Sequence, residues 1–153
     1  MSEADSKRTI RIFTIGYAGR NAREFFTTLK QASIRKVIDV RFYNTSQLAA
    51  FTKKQDIEYF LQSIVGAEYV HMPIMAPTPQ LLSDYKEGLI GWQQYETQFK
   101  AIISQRQIQG HITPQDADMS CLLCSEARAD KCHRRIEAEY LAEHWRNVSI
   151  NHL

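Results

Sequence analysis

Apolar residues along the chain fall into two alternating spacings. Ile10 to Ile15, "IRIFTI", is a run of β-branched and aromatic residues, followed by the glycine-containing turn "GYAGRN". Phe25, Phe26, Leu29 and Ala32 then recur at helical spacing. The pattern predicts a strand, a loop and a helix, and Asn21 with Glu24 has the spacing of a capping box at the helix start. The cycle repeats with Val37 to Val40, a short apolar strand that holds Asp39 and ends at Arg41. Thr52 and Gln55 have the spacing of a second capping box before Ile57, Phe60, Leu61 and Ile64, with Gly66 as the stop.

"EYVHMP" reads as a third strand halted by Pro73, and Thr78-Pro79 as the start of a short helix. Tyr95, Phe99, Ile102 and Ile103 mark a longer helix running to about Arg106. After the turn-rich "GHITPQDAD", "MSCLLC" is predicted as a buried strand, Asp130 as an N-cap, Lys131 to Arg146 as a helix and "VSINHL" as the last strand. Strands alternating with helices imply a three-layer α/β fold, a mostly parallel sheet of about five strands with helices on both faces. Such sheets bind ligands beyond the carboxyl ends of their strands. The exits carry Tyr17 and Arg20, then Asp39 and Arg41, then Cys124 through Arg135, which are expected to converge at one edge.

The last helix has a phase that matters. At about 100° per residue, Arg134, Ala138, Leu141 and Trp145 share one face, so Arg134 is predicted to point inward, while Arg135, Glu139, Glu143 and Arg146 face solvent. An inward guanidinium there calls for a negative partner: Glu126, Asp39 or a bound phosphate. Asp39 itself, inside "VIDV", reads either as a structural ion pair with an arginine or as part of the site.

Cys132 and His133 are predicted in the first turn of this helix, where free backbone N–H groups and Lys131, Arg134 and Arg135 favour a thiolate. Cys132 is then either a nucleophile with His133 as its partner or a small hydrophobe packed beside Ile136. Metal is not assigned. In an extended strand Cys121 and Cys124 point to opposite faces and cannot share an ion, and no common zinc spacing fits Cys124, Glu126, Cys132 and His133. The residue six after Cys124 is Asp130 and six after Cys132 is Ala138, so neither thiol has the arginine of a phosphatase loop. "GYAG" lacks both the dinucleotide and the P-loop glycine patterns.

Composition narrows the picture further. At 153 residues and 17.7 kDa the chain suits a single α/β domain, 9–153, behind a polar, flexible tail, 1–8. Its 19 Lys and Arg nearly balance 17 Asp and Glu, so overall charge does not select a polyanionic partner, and any such case rests on local clustering. No stretch has the length of a membrane span, and the first residues lack the apolar core of a secretory signal, so a cytoplasmic location is expected. Three closely spaced cysteines suit reduced thiols.

"TIGYAGR", "IDVR" and "LLCSEARADKCHRRIEAEYL", in this order, resemble the domain of unknown function 488 family, and "NTSQLAAFTKKQDIEYFL" is similar to one branch of it. The family pattern falls on Gly16, Tyr17, Arg20, Asp39, Arg41, Ser46, Cys124, Glu126, Cys132, His133 and Arg134, with Asn44 where many members carry proline. The resemblance implies an α/β fold and a shared polar site, and names no substrate or cofactor. The residues themselves point to an enzyme acting on a phosphate-containing small molecule or nucleic acid. In it Cys132, His133, Glu126 and Asp39 are the candidate catalytic groups, and Tyr17, Arg20, Arg41, Ser46, Cys124 and Arg134 the candidate binding groups. A binding module without turnover and a purely structural lock are the alternatives.

Overall fold

Strand alternation sorts the core into two apolar layers, one on each side of a parallel sheet. The structure, a computed structural model, describes residues 8–44 and 50–153. The expected tail, apart from Arg8, and Ser46 lie outside the described residues. The strands are β1 (Ile10–Gly16), β2 (Lys36–Asp39), β3 (Glu68–His71), β4 (Ser120–Cys124) and β5 (Val148–His152). They form one five-stranded sheet in the order β3-β2-β4-β1-β5, parallel at every pairing. All five residues of β4 are buried, as a strand covered on both faces requires.

The helices are α1 (Ala22–Gln31), α2 (Lys54–Phe60), α3 (Pro79–Lys86), α4 (Trp92–Arg106), α5 (Pro114–Ala117) and α6 (His133–His144). Phe25, Phe26 and Leu29 of α1 and Ile57 of α2 pack on Ile15, Val37, Cys121 and Leu123. Tyr95, Phe99 and Ile103 of α4 and Ile136 and Leu141 of α6 pack on Ile12, Ile38, Leu122 and Cys124 of the other face. The fold is therefore a three-layer α/β sandwich. Cys121 and Cys124 lie on opposite faces, as alternation along β4 demands.

Local signals explain most element starts. Asn21 accepts from the Glu24 N–H at 2.9 Å while Glu24 accepts from the Asn21 N–H, and Thr78 accepts from the Leu81 N–H at 3.2 Å. Gly66, at φ 77°, ends the π-helical turn Leu61–Val65 that continues α2.

Two expected starts are displaced by tertiary demands. Thr52 does not cap a helix: α2 begins at Lys54, and the Arg41 guanidinium takes both the hydroxyl and the carbonyl of Thr52, at 3.2 and 2.7 Å. The last helix begins at His133 rather than Lys131, with Cys132 as an extended N-cap (φ −140°, ψ 143°). Asp130 stands outside it and pairs with Arg128. The segment ahead of the helix crosses the end of β1 instead, which delivers the Glu126 and Ala127 carbonyls to Arg134.

Candidate functional site

The carboxyl end of β4 and the start of α6 bring Cys124 and Cys132 together, with their sulfurs 2.6 Å apart and both side chains buried. A ring nitrogen of His133 lies within 4.8 Å of both sulfurs. Nε2 of that ring must donate to the Val40 carbonyl, at 3.0 Å, which leaves Nδ1 as the lone-pair nitrogen of the neutral ring. Phe99 meets the ring edge-on.

Arg134 is the counter-charge of this pair. It is 1% exposed, as the helix phase predicts, and its Nη1 lies 3.4 Å from Cys124 Sγ and 3.5 Å from Cys132 Sγ. Nη1 also donates to Glu126 O at 2.6 Å, Nη2 to Ala127 O, and Nε to the Thr14 hydroxyl at 3.3 Å. No carboxylate pairs with it among the described residues. Although burial works against the charge, the two sulfurs hold Arg134 protonated.

The two thiols share one proton. Burial pushes the Cys124 thiol up, but the hydrogen bond from Cys132 and the charges of His133 and Arg134 together bring it down to about 5. The same hydrogen bond, with burial, pushes the second proton, on Cys132, far above the ordinary thiol range. The pair thus carries one thiolate at neutral pH.

Gly16 is what lets this cluster close. A Cβ at that position would sit 1.5 Å from Glu126 O and 2.8 Å from Arg134 Nη1, so only glycine admits the loop carbonyl and the guanidinium above the end of β1.

On the other face of the sheet, Asp39 receives the Arg41 backbone N–H and Nε on one oxygen, and Arg41 Nη2 and the Tyr69 hydroxyl on the other, at 2.6 to 3.1 Å. Burial pushes the Tyr69 phenol up, and its hydrogen bond to Asp39 adds to this. The Arg41 guanidinium lies over the Tyr17 ring at 5.4 Å, and His71 Nε2 donates to the Arg41 carbonyl. This network fixes the wall between β2 and the 3-10 turn Ala50–Thr52.

Between the two networks opens a cavity of about 510 Å³ at the carboxyl edge of the sheet. Tyr17, Arg20, Arg41, Glu126, Cys132 and His133 reach it, as does an unexpected group from the helices: Tyr85, Lys86, Trp92 and Tyr95. Asp39, Cys124 and Arg134 lie behind its wall. Glu126 is exposed at the rim, and its backbone carbonyl, not its carboxylate, meets Arg134.

Sequence reasoning missed two features. Trp92 stacks on Tyr95 at 5.3 Å and Tyr85 meets Tyr95 at a tilt, 4.9 Å away, starting a chain of aromatic contacts that runs through Phe99 to His133. The spacing of Trp92, Tyr95 and Phe99 on one helix face was the available signal. The other is Glu137, fully buried, with neither carboxyl oxygen meeting a donor among the described residues. Burial pushes this carboxyl well above the usual range, the charge on Cys124 adds to that, and Arg106 opposes it.

These features define a three-layer α/β protein with a dithiol–arginine centre at the carboxyl edge of a parallel sheet. Residues 21–141 match the family described as Domain of unknown function DUF488, and the chain belongs to that family. Comparison with curated proteins and with solved structures gives no match. No helix among the described residues is long and apolar enough to cross a membrane.

Proposed function

We propose that the chain is an enzyme that takes a nucleotide or nucleic-acid-related anion into this cavity and acts on it through the Cys132 thiol, with His133 as its partner. One observation carries the reading: aromatic rings and cations face the same opening, which Cys132 of the close thiol pair also lines. A base stacks on Tyr85, Trp92 and Tyr17, while Arg20, Lys86 and Lys131 neutralise phosphate. The volume falls within the range of about 300–1,000 Å³ typical of small-ligand pockets. Thiolate character moves to Cys132 when the shared proton shifts to Cys124, and His133, with a ring nitrogen within 4.8 Å of both sulfurs, stands beside the pair as its partner. Asp39 and Arg41 hold the wall in shape, and Glu126 at the rim is the remaining acid or base. A reducing compartment such as the cytoplasm suits this chemistry, because it keeps the pair as thiols.

The test is a thermal-shift screen of nucleoside mono-, di- and triphosphates and short oligonucleotides, with inorganic phosphate as the reference, followed by product analysis for each binder. Wild-type protein should be stabilised by at least one nucleotide more than by phosphate. Trp92→Ala and Lys86→Ala should each weaken that effect, and Cys132→Ser should keep binding and lose turnover. No nucleotide effect on the wild type, or an effect indifferent to Trp92 and Lys86, would defeat the reading. The burial of both sulfurs, 0% and 2% exposed, favours as a second reading a binding module without turnover. That is what binding with no product in the wild type would establish.

A further inference from the structure

We propose that Cys124 and Cys132 form a reversible redox couple that closes to an intramolecular disulfide when a low-molecular-weight disulfide enters the cavity above them. Their sulfurs stand 2.6 Å apart, against about 2.0 Å for a covalent S–S bond. Small side-chain rotations therefore complete the bond. The thiols also differ in the way such a couple requires. Cys132 lines the cavity and meets the incoming reagent, while Cys124 is enclosed behind it and can react only with Cys132. Arg134 sits beside both sulfurs and stabilises whichever is anionic.

Metal binding fits this geometry less well. The guanidinium beside both sulfurs repels a divalent cation.

The chemistry balances in two exchanges. Transfer of the shared proton to Cys124 leaves Cys132 as the thiolate. It attacks one sulfur of the reagent, RS–SR, forming a mixed disulfide and expelling RS⁻. Cys124 then gives up its proton and attacks Cys132 Sγ, which breaks the mixed bond and releases the second RS⁻. The pair loses two electrons to the reagent; its one shared proton ends on one leaving thiolate and the other takes a proton from solvent, so the monothiolate pair plus RS–SR plus H⁺ gives disulfide plus two RSH. Excess thiol reverses both steps. The couple depends on the two sulfurs and Arg134, so it stands or falls independently of which anion the cavity binds.

The experiment uses the full chain, reduced and then equilibrated across ratios of oxidised to reduced glutathione, quenched with acid and alkylated under denaturing conditions. The reduced protein should take three labels, matching its three cysteines, and the oxidised protein one, on Cys121, with peptide mapping placing the bond between Cys124 and Cys132. Cys124→Ser should stop at a mixed disulfide on Cys132, and Cys121→Ser should oxidise as the wild type does. If a variant fails to fold, the wild-type label count and peptide map decide alone. Three labels at every ratio would overturn the proposal, as would a bond that involves Cys121. So would stoichiometric zinc in the purified protein whose removal by a chelator is needed before either thiol reacts.

Discussion

Replacing Arg134 with methionine removes a cation buried against the thiol pair while keeping an apolar stem of similar length. The guanidinium donates to Thr14, Glu126, Ala127 and both sulfurs, but the bonds are unequal. Only that to Glu126 O, at 2.6 Å, is short, and both loop carbonyls are partly buried, so water recovers some of their loss. The Thr14 hydroxyl keeps its contact with His152 Nδ1 at 2.6 Å. What cannot be replaced is the counter-charge, and breaking a buried ionic pair from one side costs about 3–5 kcal/mol. The thiolate limits that loss by taking up a proton, so the effect divides between stability and titration.

In the wild type, Cys124 is held near 5, below its unfolded value. Between about 5 and the ordinary thiol pKa of about 8.5 the unfolded chain therefore binds more protons, and stability rises with pH. Above that range the unfolded chain loses a second proton that folded Cys132 retains, and stability falls again. Urea denaturation of the reduced protein across this range should show the rise and the fall. Arg134→Met should lower stability near neutral pH, by less than the unrelieved cost of about 3–5 kcal/mol because the thiolate protonates, and flatten the rise. Ultraviolet absorbance of the thiolate should move its titration up towards the ordinary thiol range. A mutant as stable as the wild type, with the same slope, would refute the assignment of Arg134 as counter-charge. Loss of anion binding alone would instead place its guanidinium in the cavity.

Gly16→Ala should destabilise the protein by about 3 kcal/mol or more, read from the urea midpoint, because the new methyl meets Glu126 O at 1.5 Å; a shift below 1 kcal/mol would mean that the crossing loop yields. Glu137→Met should raise stability by about 1–3 kcal/mol at neutral pH, since it removes a carboxyl with no donor. The sign with pH is fixed: a carboxyl raised in the folded state costs stability as pH climbs above its unfolded pKa. The gain should therefore shrink towards pH 4, and a destabilised mutant at neutral pH would show that Glu137 has a partner.

Periodicity carried the sheet, the opposite orientations of Cys121 and Cys124, and the inward Arg134, because each follows from a fixed angle per residue. It did not carry Glu137. The stripe through Arg134, Ala138, Leu141 and Trp145 assumes one buried face, whereas α6 is enclosed on more than one side and also buries His133, Ile136, Glu137 and Tyr140. How wide a helix's buried sector becomes is decided by its neighbours, and neighbours are not local information. The displaced starts of α2 and α6 have the same origin, since a buried arginine in each case recruited the residues expected to form or precede a cap. Tyr85 and Lys86 reached the cavity only through the way α3 leans over the sheet edge, which their own sequence does not mark, whereas Trp92 was signalled by its spacing from Tyr95 and Phe99.

Strand β1 pairs with β4 on one side and β5 on the other, and it supplies both Thr14 and Gly16 beneath Arg134. The stretch that matches the family, 21–141, starts after β1 and stops before β5. A fragment cut to those limits would keep β4 but strip its partner, turning a strand buried on every residue into an open, apolar edge that invites aggregation. The matched span is thus narrower than the folding unit, and a protein truncated to it would fail for reasons unrelated to its chemistry.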